Sequence, residues 1–258
     1  MTDLANSGVD WRAVEAVIFD VDGTLYDHAR LRRRMFVRLL RRLATSRSGW
    51  RDVRVLRTFR RTRERLALAE VDDVGRRQFV EAAAATGSSV DEVRAIVNRW
   101  IELEPLAFMG RYAAPGIGGF VRGLRERRVR TGVFSDYPAD DKLSVLGVSV
   151  EVVRDAAALD VGRLKPHPQG FLRVAELLNV RPDRCLIIGD RDDRDGEAAR
   201  RGGFSFLRKV EPGRNLGPMQ FSRFEQLMRE ILAATPALAD DSGEVSGGGH
   251  GISLAASR

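Results

Sequence analysis

The chain has 258 residues, 43% of them hydrophobic, enough for one large or two small domains with a buried core. It contains no apolar run of about 18 residues, so no membrane-spanning helix is expected. The net charge of +7 invites nucleic acid or anionic lipid as a partner. Only three of the 43 basic residues are lysines, however, so a general preference for arginine weakens the signal of any one Arg-rich stretch and draws attention to Lys142, Lys165 and Lys209.

The opening "MTDLANSGVDWRAVEA" lacks a basic start followed by an apolar stretch, so no secretory signal is expected. Together with a single cysteine, Cys185, read as a small buried hydrophobe, this makes the cytoplasm the default location. The first element is "AVEAVIFD" (13–20), a short aliphatic run ending at an aspartate. Residues 28–112 then read as wholly helical. "RLRRRMFVRLLRRLATS" places Leu31, Met35, Leu39, Leu40 and Leu43 at helical spacing with arginines on the other face, and Ser89 stands three places before Glu92 as a capping box. A helix over 89–105 is predicted there. This segment carries 20 arginines against 10 acidic residues and interrupts the pattern on either side of it. A basic amphipathic helix of this kind can lie on an anionic membrane, or serve as an ordinary helix with a solvated arginine face.

After the interruption, helix and strand alternate. "APGIGGFVRGLRERR" (114–128) precedes the strand "VRTGVFSD" (129–136); "VSVEVVRD" (148–155) is a further strand candidate. "HPQGFLRVAELLNV" (167–180) precedes "DRCLIIGD" (183–190), followed by the short helix "GEAARRGG" (196–203) and the strand "FSFL" (204–207). "SRFEQLMREILAAT" (222–235) closes the pattern as a helix. The fold class expected is α/β: a Rossmann-like parallel sheet built from residues 12–27 and 113–235, with an all-helical domain inserted at 28–112. Residues 236–258, rich in Gly, Ser and Ala and containing His250, read as a disordered tail.

Three of the strands end in aspartate: Asp20, Asp136 and Asp190. In an open parallel sheet ligands bind beyond the carboxyl ends of the strands, so these carboxylates are expected along one edge, where they repel unless a cation intervenes. The first strand runs on as "FDVDGTLYD". A calcium loop of the helix–loop–helix kind fits poorly, because a strand precedes it and Leu31 stands where the closing glutamate belongs. "GDRDDRD" (189–195) holds four aspartates, which also suit a helix start.

The motif "DVDGTL" resembles the signature of the haloacid dehalogenase superfamily. So do, in order, "VFSD" with Ser135, "LKPHP" with Lys165 and "IIGDRDDRD" with Asp190 and Asp195. The likeness covers about residues 13–235 and points to the phosphatase branch with an inserted helical cap, of the phosphoglycolate-phosphatase kind. The resemblance implies that Asp20 is a nucleophile forming an aspartyl-phosphate and Asp22 a general acid and base holding a proton. It implies that Ser135 and Lys165 bind the phosphoryl group, and that Thr24 helps build the turn around bound substrate. It also implies Mg²⁺ held by Asp20, Asp190, the backbone carbonyl of Asp22 and Asp195, with Asp193 competing for that last role and Asp192 solvated or capping a helix. An acid at Asp22 favours phosphoester over halide chemistry, since a halide leaving group needs no proton. The expected substrate is a small phosphorylated metabolite, with glycolate phosphate, a sugar phosphate and a nucleotide all open. For His28, just after the first motif, substrate contact and a surface or hinge position are both open. A phosphotransferase or phosphomutase with the same residues, and a non-catalytic Arg-rich protein binding nucleic acid or membrane, remain the alternatives. No zinc spacing or RNA-binding signature supports nucleic acid, no stable membrane insertion is expected, and the oligomeric state is not legible.

Overall fold

A computed structural model of the chain describes residues 7–234. The predicted tail at 236–258, with His250, lies outside them. Six parallel strands form one sheet: β1 (Ala16–Phe19), β2 (Arg130–Ser135), β3 (Val152–Asp155), β4 (Cys185–Gly189), β5 (Ser205–Lys209) and β6 (Gln220–Phe221), in the order β3-β2-β1-β4-β5-β6. Every residue of β1 and β4 is buried, as strands covered on both faces require. β1 pairs with β2 on one side (Phe19 with Val133) and with β4 on the other (Phe19 with Ile188), so three strand ends meet at the sheet's centre.

Between β1 and β2 lie the predicted helices: α1 (His28–Thr45), α2 (Arg47–Leu68), α3 (Val74–Thr86), α4 (Val90–Val97) and α5 (Glu104–Met109). Ser89 and Glu92 form the capping box at the start of α4. The single helix predicted over 89–105 is a composite instead. α4 passes through a π-helical stretch, Asn98–Leu103, into α5, whose second residue is Pro105. Proline has no N–H to give, and a locally widened ladder accommodates that loss. The helices share their own apolar cluster around Val55, Phe59, Phe79, Val93 and Trp100. The two crossings into this segment run side by side, with Asp27 N–H donating to the Tyr112 carbonyl and Ala114 N–H to that of Leu25, both at 2.8 Å.

The remaining helices cover the sheet: α6 (Ile117–Glu126), α7 (Asp140–Leu146), α8 (Gln169–Leu177), α9 (Glu197–Gly202) and α10 (Phe224–Ala234). One cluster packs α6 and α10 on one face through Phe19, Phe120 and Phe224. The other packs α8 and α9 on the opposite face through Phe134, Phe171 and Ala198. Cys185 is buried in β4, as expected. Among the described residues no helix is long and apolar enough to cross a membrane.

Candidate active site

The chain leaves β1 at Asp20, which is buried, and turns sharply through 21–25. Gly23 makes the turn possible in two ways. Its φ is +104°, and a Cβ there would overlap the Asp190 carboxylate. Asp190 stands at the end of β4, one strand over. The following π-helical turn, Asp192–Gly196, folds Asp195 back beneath it. A Cβ on Gly189 would come within 2.6 Å of the Asp195 side chain, so glycine is needed there too.

Carboxylate oxygens of Asp20, Asp190 and Asp195 thus lie within 4.8 Å of one another. Lys165 is buried between them. Its ammonium donates to Asp20 and, at 2.8 Å, to Asp195. Thr24 donates its hydroxyl to the other Asp20 oxygen at 2.9 Å. Three carboxylates, those of Asp20 and Asp195 buried and that of Asp190 half-buried, stand against one ammonium in direct contact. Burial first, and the carboxylates of Asp195 and Asp190 next, push the Asp20 carboxyl well above its ordinary range against the pull of Lys165. Burial and Asp195 likewise raise Asp190 to about 6. Burial alone would lower Lys165, but Asp195 and Asp20 outweigh it and keep its ammonium charged. An all-oxygen donor set with this charge excess fits a hard divalent cation such as Mg²⁺.

The four clustered aspartates therefore divide. Asp195 accepts from Lys165 and from the Arg191 N–H. Asp193 points away, captured by the Arg191 guanidinium at 2.6 Å, which also lowers its pKa. Asp192 is exposed and paired with Arg200 rather than capping a helix. Asp136 sits on the expected edge but is not part of the cluster; its carboxylate accepts the Lys165 backbone N–H at 3.1 Å. Ser135 ends β2, fully buried, its oxygen accepting the Tyr137 N–H at 3.2 Å.

Asp22 departs from expectation. Lys142, a buried residue of α7, donates to both its oxygens at 2.6 and 2.9 Å, and the Tyr26 hydroxyl donates to one of them. Burial raises the Asp22 pKa, but Lys142, His28 and Tyr26 outweigh it and bring it down to about 2. These contacts favour the ionised form of the group expected to hold a proton.

A family profile described as haloacid dehalogenase-like hydrolase matches residues 14–203. The chain belongs to this family. Among proteins similar to this hydrolase is a validoxylamine A 7'-phosphate phosphatase from Streptomyces hygroscopicus subsp. limoneus, 28% identical over 179 residues. The match spans 68% of this chain and 76% of the relative. A glyceraldehyde 3-phosphate phosphatase from Methanopyrus kandleri is 25% identical over 199 residues, spanning 76% and 83%. Among solved structures, a 2-haloacid dehalogenase from Pseudomonas syringae pv. Tomato DC3000 superposes with a TM-score of 0.58 at 20% identity, over 85% of this chain and 98% of the other. A HAD phosphatase from Thermococcus onnurineus gives 0.55 at 20% identity, over 86% and 99%. At these identities the structures share the fold.

The hydrolase encloses a cavity of about 280 Å³ between the helical segment and the strand ends, lined by Asp22, Lys142 and Tyr137 from one side and Arg60, Arg63 and Trp100 from the other. A second cavity, about 650 Å³, lies where the two crossings meet the segment after β5, reaching Gly23 and Asp190. His28 lines both. No local sequence signal points to Tyr26 or Arg63, whereas the scarcity of lysine draws attention to Lys142.

Proposed function

We propose that this hydrolase is a phosphatase that cleaves a small phosphorylated metabolite through an aspartyl-phosphate. The observation that carries the reading is the meeting of Asp20, Asp190 and Asp195 around Lys165 at the centre of the sheet. The phosphatase names of two sequence relatives support it. Phosphate monoesters are so inert that an enzyme supplies ~10¹⁷-fold acceleration or more, which calls for a nucleophile, charge neutralisation and proton transfer together.

In this reading an Asp20 oxygen attacks phosphorus and the bond to the leaving oxygen breaks. Thr24 and Lys165 fix the two Asp20 oxygens, so the attacking lone pair is aimed before substrate arrives. The Thr24 hydroxyl is committed to Asp20, so it orients the nucleophile rather than the substrate. The Lys165 ammonium, with the Ser135 hydroxyl, meets the charge on the phosphoryl oxygens. Asp22 gives its proton to the leaving oxygen and recovers one from the water that cleaves the aspartyl-phosphate. The Lys142 pair opposes the first of these steps. The charge of an incoming phosphate dianion raises the Asp22 pKa and competes for Lys142, so proton uptake accompanies substrate binding. Mg²⁺ would be held by the carboxylates of Asp20 and Asp190 and the Asp22 carbonyl, with Asp195 supporting it, and when bound it supplies charge neutralisation at the phosphoryl group. The helices at 28–112 serve as a cap over the 280 Å³ cavity.

A panel of phosphometabolites incubated with enzyme and Mg²⁺, read by phosphate release, tests the proposal. Release from at least one small ester is expected. EDTA and Asp20→Asn should each abolish it while the circular dichroism spectrum stays native. Undiminished turnover by Asp20→Asn sinks the mechanism.

A further inference from the structure

Arg63 is 7% exposed, yet no carboxylate among the described residues pairs with it. Its guanidinium donates to the Asp136 backbone carbonyl at 2.6 Å and to the Gln78 side-chain oxygen, and stacks 4.1 Å from the Tyr137 ring centre. All three partners are neutral. A buried cation without a counter-charge is costly, and here the cost is borne at the wall of the cavity over Asp22. The same wall carries Arg60 and Arg32, neither of which makes a hydrogen bond or ion pair among the described residues. Of the other charged groups lining it, Lys142 pairs with Asp22, Arg194 with Glu64 and Arg191 with Asp193, while the Asp136 carboxylate accepts only a backbone N–H. Glu102 lies within electrostatic reach of Arg63 and Lys142 but pairs with neither. With Asp136 set against the three arginines, the cavity holds a surplus of two positive charges on the side where the leaving group departs.

We infer that the substrate's leaving group itself bears an anionic group, a carboxylate or a second phosphate, which Arg63, Arg60 and Arg32 receive. Arginine suits either anion because its planar fork meets two oxygens at once. A cavity of about 280 Å³ admits a chain of a few carbons beyond the scissile oxygen. This inference rests on the phosphatase reading for its chemistry, but not for the binding it predicts.

The test compares phosphoglycerate, propanediol bisphosphate and glycerol phosphate, three-carbon esters whose far end is a carboxylate, a phosphate and a neutral diol. With wild type, kcat/KM for the better of the two anionic esters should exceed that for glycerol phosphate roughly tenfold or more, and which one leads identifies the anion. Arg60→Gln, an exposed substitution expected to fold, should collapse that ratio towards one. In the Asp20→Asn background, calorimetry should show the same anionic ester binding about tenfold more weakly once Arg60→Gln is added. Hydrolysis of all three esters alike, with an Arg60-independent ratio, overturns the inference and leaves the phosphatase standing. Arg60-dependent binding without hydrolysis of any ester supports the anion subsite and overturns the phosphatase.

Discussion

The Lys142–Asp22 pair shows what a single side chain decides here. The two residues are 120 positions apart, and nothing near Asp22 in the chain announces its partner. Lys142→Met leaves the partly buried Asp22 carboxylate without its partner and should cost about 1–3 kcal/mol in a denaturant titration, whereas Lys142→Met with Asp22→Leu should cost less than the sum of the two single changes. The pair also sets an acid limit. Asp22 has a folded pKa near 2, below its unfolded value, so its contribution is fully present above about pH 4 and disappears as pH falls towards 2. Asp190 has the opposite sign. Its pKa of about 6 lies above the unfolded value, so the metal-free protein loses stability as pH rises from about 4 to 6 and stays penalised above that. Mg²⁺ should therefore raise the melting temperature more at pH 7 than at pH 5; an equal rise at both would show that Asp190 does not hold the ion. At this scale the sequence motifs identified Asp20, Asp190 and Lys165, but they could not separate Asp195 from Asp193. That choice depends on Arg191, whose side chain captures one carboxylate while its N–H serves the other.

Among the elements, those with strong local signals were the legible ones. β1, β2 and β4 are short aliphatic runs closing at an aspartate or a serine–aspartate step, and the Ser89–Glu92 box marks the start of α4. Ser89→Ala should cost about 1 kcal/mol in thermal unfolding without changing the site. β6 was not legible, because two residues, Gln220 and Phe221, carry no periodicity and are ordered only by pairing with β5. β3 begins at Val152 rather than Val148, since the preceding residues form the exit from α7. The turn at Gly23 is an element whose necessity is steric. Gly23→Ala must move either the turn or the Asp190 carboxylate, so it should depress Mg²⁺ affinity at least tenfold while Gly87→Ala, where a Cβ meets open space but φ is positive, should affect stability alone.

For the molecule as a whole, the strand order is what converts scattered residues into a site. With β1 between β2 and β4, the order of connections reverses at the centre of the sheet, and that is where a crevice opens. Asp20, Ser135 and Asp190 come from three adjacent strand ends, and Lys165 rises from the loop before α8 to meet them. The sequence shows which segments are strands but not which are neighbours, so this meeting could be expected only from the family resemblance. The helical insertion is legible as a change of pattern; its placement over Asp22 depends on contacts such as Arg63 to Asp136, which no local signal encodes. The proposed chemistry requires Asp20 and Asp190, supported by Asp195, to share one divalent ion. Calorimetric titration of Mg²⁺ into wild type and Asp190→Asn tests this most directly. One ion per chain should bind the wild type, with binding lost or weakened at least tenfold in the variant; an unchanged affinity and stoichiometry in Asp190→Asn would contradict it.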